Sequence, residues 1–190
     1  RCHFQIPRNK RVLQTGLLWN IKKADVWVSS DNLCWSGTKD MKILISGISG
    51  FLGHHIAKVC QERDWYVVGV DKRPIPDNHY VPNKFIQADV FDLTYRDLIG
   101  FDQVIHLAWR TNIPDCVRHP EESTYQNIDM TLHLLEVCKE AGVKKVFFPS
   151  TASLYGNNPT PWQEDMPPNA TEPYSWQKLA CEYLRFLYPN

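Results

Sequence analysis

No apolar run in this sequence approaches the roughly 18 residues a membrane-spanning helix needs, and no basic-then-apolar leader opens it. Net charge is also missing: 21 Lys and Arg balance 21 Asp and Glu. The balance is uneven along the chain. Residues 1–40 hold seven basic against three acidic side chains, which leaves residues 41–190 with fourteen against eighteen. A mildly acidic globular part argues against nucleic acid as a partner. The six cysteines (2, 34, 60, 116, 138 and 181) form no Cys-x-x-Cys and no Cys/His ligand spacing. That excludes a zinc site of ordinary spacing and suits reduced thiols, so a cytoplasmic protein is expected, with neither metal nor membrane. Internal repeats and low-complexity tracts are absent. A chain of 190 residues remains, long enough for one domain with a sizeable core.

What is present is concentrated after Met41. Residues 41–53 read MKILISGISGFLG, a short apolar strand running into glycines 47, 50 and 53 with a helical pattern behind them. Strand, glycine turn and helix N-terminus together make a pyrophosphate site, because the helix end offers unpaired N–H groups and partial positive charge. Gly47 serves the tight turn, Gly50 the close approach of backbone to phosphate, and Gly53 the packing of helix on strand. Ser49 stands where the commoner G-x-G-x-x-G spacing has its second glycine.

The remainder alternates strands and helices. FLGHHIAKVCQER places apolar residues 52, 56, 59 and 60 on one helical face, and WYVVGVD is a buried strand ending at Asp71. After a proline-rich loop come KFIQADV as a third strand and FDLTYRDLIG as a short helix closed by Gly100. DQVIHLAW is a fourth strand. Residues 119–141 form one long helix with apolar positions 128, 132, 135 and 138, stopped at Gly142. VKKVFFPST is a fifth strand, 156–173 is a loop with five prolines, and PYSWQKLACEYLRFLY is a final helix. Such alternation predicts an α/β fold, a Rossmann-type doubly wound parallel sheet covered on both faces. Residues 1–40 fall outside this pattern, apart from a possible strand or hairpin in WNIKKADVWVSS. They are expected to be an N-terminal extension ahead of Met41, the alternative being an arm packed on the domain.

Two groups of residues carry chemistry. Asp71, 18 residues after Gly53, is placed to accept hydrogen bonds from an adenosine ribose, which favours NAD over NADP. Lys72 and Arg73 blur that preference, since either could pair with a 2′-phosphate. Asp89 is open between an adenine contact and a simple turn cap. Tyr174 and Lys178, four apart on a helix, share a face, and a nearby ammonium favours phenolate, lowering a pKa that is ordinarily about 10. Histidines 54 and 55 point about 100° apart and lack a third ligand. His106 reads as a buried strand residue, and Glu164 and Asp165 as shaping the entrance to a site.

Taken together, GISGFLG, Asp71, His-Leu-Ala at 106–108, STASLYG at 150–156 and YSWQK at 174–178 make residues 41–190 resemble the N-terminal, NAD-binding part of an extended short-chain dehydrogenase/reductase, the NAD-dependent epimerase/dehydratase family. The resemblance implies Tyr174 as catalytic base, Lys178 as ligand of the nicotinamide ribose that also lowers the tyrosine pKa, and Thr151 as the hydroxyl that bonds the reacting sugar oxygen. It implies cofactor contacts from Gly47, Gly50, Phe51, Leu52, Gly53, Asp71, Asp89, Val90, Leu107 and Ala108, and a supporting role for Asn127. The implied function is a sugar-nucleotide epimerase or related oxidoreductase passing hydride to and from NAD, with a nucleotide sugar as substrate and pairing of two copies through helix 119–141 and the final helix. The alternatives are a non-catalytic NAD-binding module and an inactive fragment.

Two departures from the family stand out. Ala152 and Ser153 follow Thr151 where sugar dehydratases carry Asp-Glu, so dehydration is not expected. Trp109 and Arg110 follow His-Leu-Ala where smaller residues are usual, and Arg110 is open between a substrate anion and solvent. Only five parallel strands can be counted, so the chain is expected to be truncated at its C-terminus, with the substrate domain absent and one sheet edge open.

Overall fold

The structure, a computed structural model, describes residues 17–20 and 41–184, the first group as backbone. Six strands form one sheet: β1 (Leu17–Asn20), β2 (Lys42–Ser46), β3 (Tyr66–Asp71), β4 (Lys84–Gln87), β5 (Gln103–His106) and β6 (Lys145–Phe148). Their spatial order is β1-β6-β5-β2-β3-β4. The five strands β2 to β6 pair in parallel, as the alternation of strand and helix requires. β1 is the exception. It runs antiparallel on β6, Leu17 opposite Phe148 and Asn20 opposite Lys145, so the edge expected to be open is covered by four residues of the expected extension. The rest of 1–40, and with it most of the WNIKKADVWVSS reading, lies outside the described residues.

Side chains alternate across a strand, and here both faces are dry. Leu44, Val68, Val70 and Val104 point into one core with α2 (Tyr95–Leu98), α5 (Met130–Ala141) and α6 (Pro173–Leu184). Ile43, Ile45, Val67 and Ile105 point into the other with α1 (Phe51–Gln61). The sheet is therefore wound on both sides, with the strand order reversing between β2 and β5. In sheets of this kind the crevice at that reversal, beyond the carboxyl ends of the strands, is where ligands bind.

Helix α1 corrects the face expected of it. Its buried residues are Gly53, Ala57 and Cys60, whereas Leu52 and Val59 are exposed. Small residues face the sheet because the helix lies almost on the glycine turn: a Cβ on Gly53 would stand 2.5 Å from the Gly47 carbonyl oxygen. The long helix expected over 119–141 is divided. α4 (Pro120–Thr124) passes through a π turn at Tyr125–Asp129 into α5, where Thr131 Oγ1 donates back to the Asn127 carbonyl at 2.6 Å. α5 ends at Gly142, φ 73°, as expected. A further helix, α3 (Ile113–Arg118), lies in the stretch between the fourth strand and the expected long helix, which the sequence pattern leaves unassigned. Asn112 caps it by accepting from the Asp115 N–H at 2.9 Å.

Candidate functional site

The glycine turn leaves β2 at the reversal point and touches the loop leaving β5. Gly47 has φ 75°, and a Cβ there would lie 2.6 Å from the Ala108 nitrogen; on Gly50 it would approach the Gly47 carbonyl to 3.1 Å. Gly47 must stay bare and Gly50 has room for no more than a tight contact, which leaves the start of α1 open to a ligand's phosphates with its first N–H groups unpaired within the helix. Phe51 and Leu52, in that first turn, are exposed. The residues present thus fit a dinucleotide at this end.

Asp71 is buried at the end of β3 and its carboxylate holds the turn in shape. Oδ2 accepts from the Ser49 N–H at 3.1 Å, and Oδ1 from the Arg73 N–H at 2.9 Å and Arg73 Nε at 3.4 Å. Each carboxylate oxygen has two lone pairs, so capacity for a ribose hydroxyl remains. Arg73 is thereby drawn onto Asp71, although most of its side chain is exposed. Asp89 acts as a cap: it accepts from the Phe91 N–H at 3.2 Å and its own N–H donates to Asp92 at 3.1 Å. Val90 is buried behind it, and Leu107 and Ala108 are half-buried beside Gly47.

His106 is a satisfied core residue, as its strand position suggested. Nδ1 lies 2.7 Å from Ser46 Oγ and Nε2 3.1 Å from Thr131 Oγ1. Burial, with the Lys178 charge beside it, pushes its pKa down to about 3. The rings of His54 and His55 are 3.9 Å apart, contrary to the divergence expected of neighbours on a helix, and His79 stacks on His54 at 3.8 Å. Among the described residues no group of three His, Cys, Asp or Glu could hold a metal ion. Cysteines 60, 116, 138 and 181 are all unpaired and buried. No helix among these residues is long and apolar enough to cross a membrane.

Thr151, Tyr174 and Lys178 come together from two elements. Thr151 ends the segment after β6 and caps a 3₁₀ turn, Ala152–Tyr155, by accepting from the Ser153 N–H at 3.2 Å. Tyr174 opens α6, whose start is pinned by the Glu172 carboxylate accepting from the N–H groups of Tyr174 (2.7 Å) and Ser175 (2.9 Å). Burial raises the Tyr174 pKa, and a hydrogen bond with Thr151 pulls it back. The net direction is opposite to the one expected from Lys178, because burial of the phenol, with the Glu172 charge adding to it, outweighs what lowers the pKa. Lys178 is buried too, and burial pushes its own pKa down to about 7. Its Nζ sits 5.9 Å from the Tyr174 ring centre, donates to the Pro149 carbonyl at 2.9 Å, and lies 3.6 Å from the Trp109 ring and 4.3 Å from that of Phe148. Glu164 and Asp165 act on Tyr155, raising its pKa after burial does.

Arg110 neither faces solvent nor is free for a substrate. Its guanidinium pairs with Asp115 at 2.5 Å and Glu122 at 2.8 Å. Its backbone is clamped by Asn127, whose Oδ1 accepts from the Arg110 N–H at 2.8 Å and whose Nδ2 donates to the Arg110 carbonyl at 3.1 Å. The same Nδ2 reaches Gln177 Oε1 at 2.7 Å, and Gln177 Nε2 reaches Ser123 Oγ at 2.8 Å. This buried chain of amides ties the π turn to the helix bearing Tyr174 and Lys178. Gln177 and the position of Trp109 escape a reading by motif, since each acts through partners distant in sequence, whereas Glu172, which the sequence reading passed over, acts locally on the start of its own helix. Capping by Glu172 had a legible signal in the Pro173 that follows it.

Residues 43–188 match the NAD dependent epimerase/dehydratase family. A UDP-glucose 4-epimerase of Corynebacterium glutamicum is 33% identical over 148 residues, which cover 75% of this chain and 45% of the relative. The solved UDP-N-acetylglucosamine 4-epimerase of Methanobrevibacter ruminantium M1, in complex with UDP-N-acetylmuramic acid, superposes with a TM-score of 0.73 at 32% identity, covering 80% of this chain and 51% of that one. The UDP-glucose 4-epimerase of Bifidobacterium longum in complex with NAD+ and UDP gives 0.70 at 30% identity, with 77% and 48% covered. The chain spans about half the length of the relatives it matches. With the parallel sheet, the bare glycine turn and this match over most of its length, the chain belongs to the NAD dependent epimerase/dehydratase family.

Proposed function

We propose that this chain carries the NAD-binding half of a nucleotide-sugar epimerase, in which Tyr174 moves the substrate proton. One observation carries the reading: beyond the carboxyl ends of the strands, Tyr174 and Lys178 on α6, with Nζ 5.9 Å from the phenol ring centre, gather with Thr151 after β6, whose hydroxyl holds the phenol's pKa down, and with Trp109 after β5. Bound NAD⁺ supplies the hydride acceptor and, on return, the donor. Tyr174 Oη takes the proton of the sugar hydroxyl as the carbon beneath it loses hydride, and gives the proton back when hydride returns to the other face of the keto sugar. Thr151 Oγ1 orients the sugar oxygen. Lys178 Nζ bonds the nicotinamide ribose, and its charge, when held, favours the phenolate. Asp71 takes the adenosine ribose, and the glycine turn with the start of α1 takes the pyrophosphate. Ala152 and Ser153 bring no carboxyl group to the position after Thr151, which supports epimerisation over elimination.

UDP-hexoses are the substrates this reading favours, in line with the relatives, and a homodimer is part of it. Exposed Val117, Tyr125 and Trp176 give apolar surface on α3, the π turn and α6 for such pairing. A cytoplasmic site of action fits the unpaired buried thiols. Thermal unfolding with NAD⁺ tests the cofactor site: at 100 times its Kd the ligand should stabilise the chain by about 2.7 kcal/mol. In the whole protein, Tyr174→Phe should abolish turnover of UDP-glucose while leaving that NAD⁺ effect intact. Unchanged turnover would remove Tyr174 from the mechanism.

A further inference from the structure

Lys178 is only 2% exposed, although the proposed function gives it a ribose to hold. Three neighbours enclose its ammonium: the Pro149 carbonyl, the Phe148 ring and, nearest to Nζ of the two rings, the indole of Trp109 at 3.6 Å. An ammonium has three N–H donors, and here one meets an oxygen while the π faces attract the charge. The three neighbours differ in how firmly they are held. Phe148 ends β6, which is paired on both sides, and Pro149 follows directly. Trp109 lies among residues 107–112, outside regular secondary structure; its chain neighbours are held by Asn127 and Ser46, so the part of it left to move is the side chain, which no hydrogen bond among the described residues ties down. Its ring also stands edge-on to Tyr174 at 6.3 Å, filling the space between the two helix residues. Its indole N–H is buried with no hydrogen-bond partner among the described residues, so swinging outward would return that donor to water.

We propose that Trp109 is a displaceable cap on Lys178, exchanged for the nicotinamide ribose of NAD⁺ when the cofactor binds. The proposal rests on the reading of Lys178 as a ribose ligand. Ring and ribose compete for the same side of one ammonium, so the cap weakens NAD⁺ binding without touching the adenosine half of the site. ADP, which ends at the glycine turn, should not sense it.

Titration calorimetry with ADP and with NAD⁺, on the full chain and on Trp109→Leu and Lys178→Met, tests this. Leucine fills much of the space and removes the π face. Expected are NAD⁺ binding about tenfold tighter in Trp109→Leu, weaker in Lys178→Met, and ADP binding unchanged in both. If Lys178→Met loses NAD⁺ affinity but Trp109→Leu does not gain any, the cap is wrong and the ribose ligand stands. If Lys178→Met binds NAD⁺ as the parent does, the reading of Lys178 fails and the cap falls with it. Parallel changes for ADP and NAD⁺ in Trp109→Leu mark a general disturbance of the domain and overturn the cap. Absence of NAD⁺ binding in all three chains overturns the cofactor site itself.

Discussion

Lys178 and His106 are two buried bases that lie near the same two rings, Trp109 and Phe148, and both hold their protons less tightly than free side chains do. Lys178 releases its proton at about 7 in the native state instead of 10.5, and His106 at about 3 instead of 6.5. For each, the unfolded chain binds more protons between the two values, so stability rises with pH across that window. The native state therefore gains from Lys178 between about pH 7 and 10.5, and loses from His106 as pH falls from 6.5 towards 3. Over two pH units one such group contributes at most about 2.7 kcal/mol. Urea unfolding at pH 7 and pH 9 should show the chain more stable at the higher pH by about 1–2.5 kcal/mol relative to Lys178→Met, which has no group to titrate there. Parallel pH profiles would mean that Lys178 keeps its proton in the fold. At this scale the sequence singles out Tyr174 and Lys178 by their spacing and Thr151 by the family resemblance, and is silent about their state. The direction of the tyrosine pKa depends on burial, which the tertiary packing sets, just as it sets Trp109 against the Lys178 ammonium.

Elements are joined here by polar side chains as well as by apolar faces. Gln177 is 3% exposed and Asn127 fully buried, and together with Ser123 they fix α6 to the π turn. Replacing Gln177 by Leu keeps the volume but removes one bond each from the Ser123 hydroxyl, which still donates to the Pro120 carbonyl, and from Asn127 Nδ2, which still donates to the Arg110 carbonyl. A loss of about 1–3 kcal/mol is expected for the two buried bonds, read as a lower urea midpoint at unchanged m-value. Gln177→Glu at low pH, protonated and able to accept from Asn127, should recover part of it. An unchanged midpoint in Gln177→Leu would show that water replaces the amide. The existence of the helices was legible, because periodicity and stops such as Gly142 are local. The buried face of α1 was not. Hydrophobicity points to Leu52 and Val59, while the contact actually made is set by how closely the helix lies on Gly47, which only Gly53, Ala57 and Cys60 permit. The π turn escaped for a similar reason, since Asn127 is placed by the Arg110 backbone it clamps.

On the scale of the molecule, the sheet has an antiparallel edge that its parallel core does not require. β1 covers β6 through four residue pairs. An uncovered β6 would present unpaired N–H and C=O groups to a second chain. Removing residues 1–40 should therefore lower the Tm by several degrees and raise self-association in light scattering. Equal Tm and scattering would show that the strand contributes nothing to stability. The order of strands and helices, the glycine turn and the family are all readable from the chain of residues, because they rest on local propensity, steric rules at single glycines and the spacing of a few reactive residues along one helix. Which groups meet is settled by folding: β1 on β6, Asn127 on Arg110 and Gln177, and Trp109 over Lys178. Those contacts are long-range, and their energies come from burial and from partners brought together by the fold. No local pattern of residues encodes them.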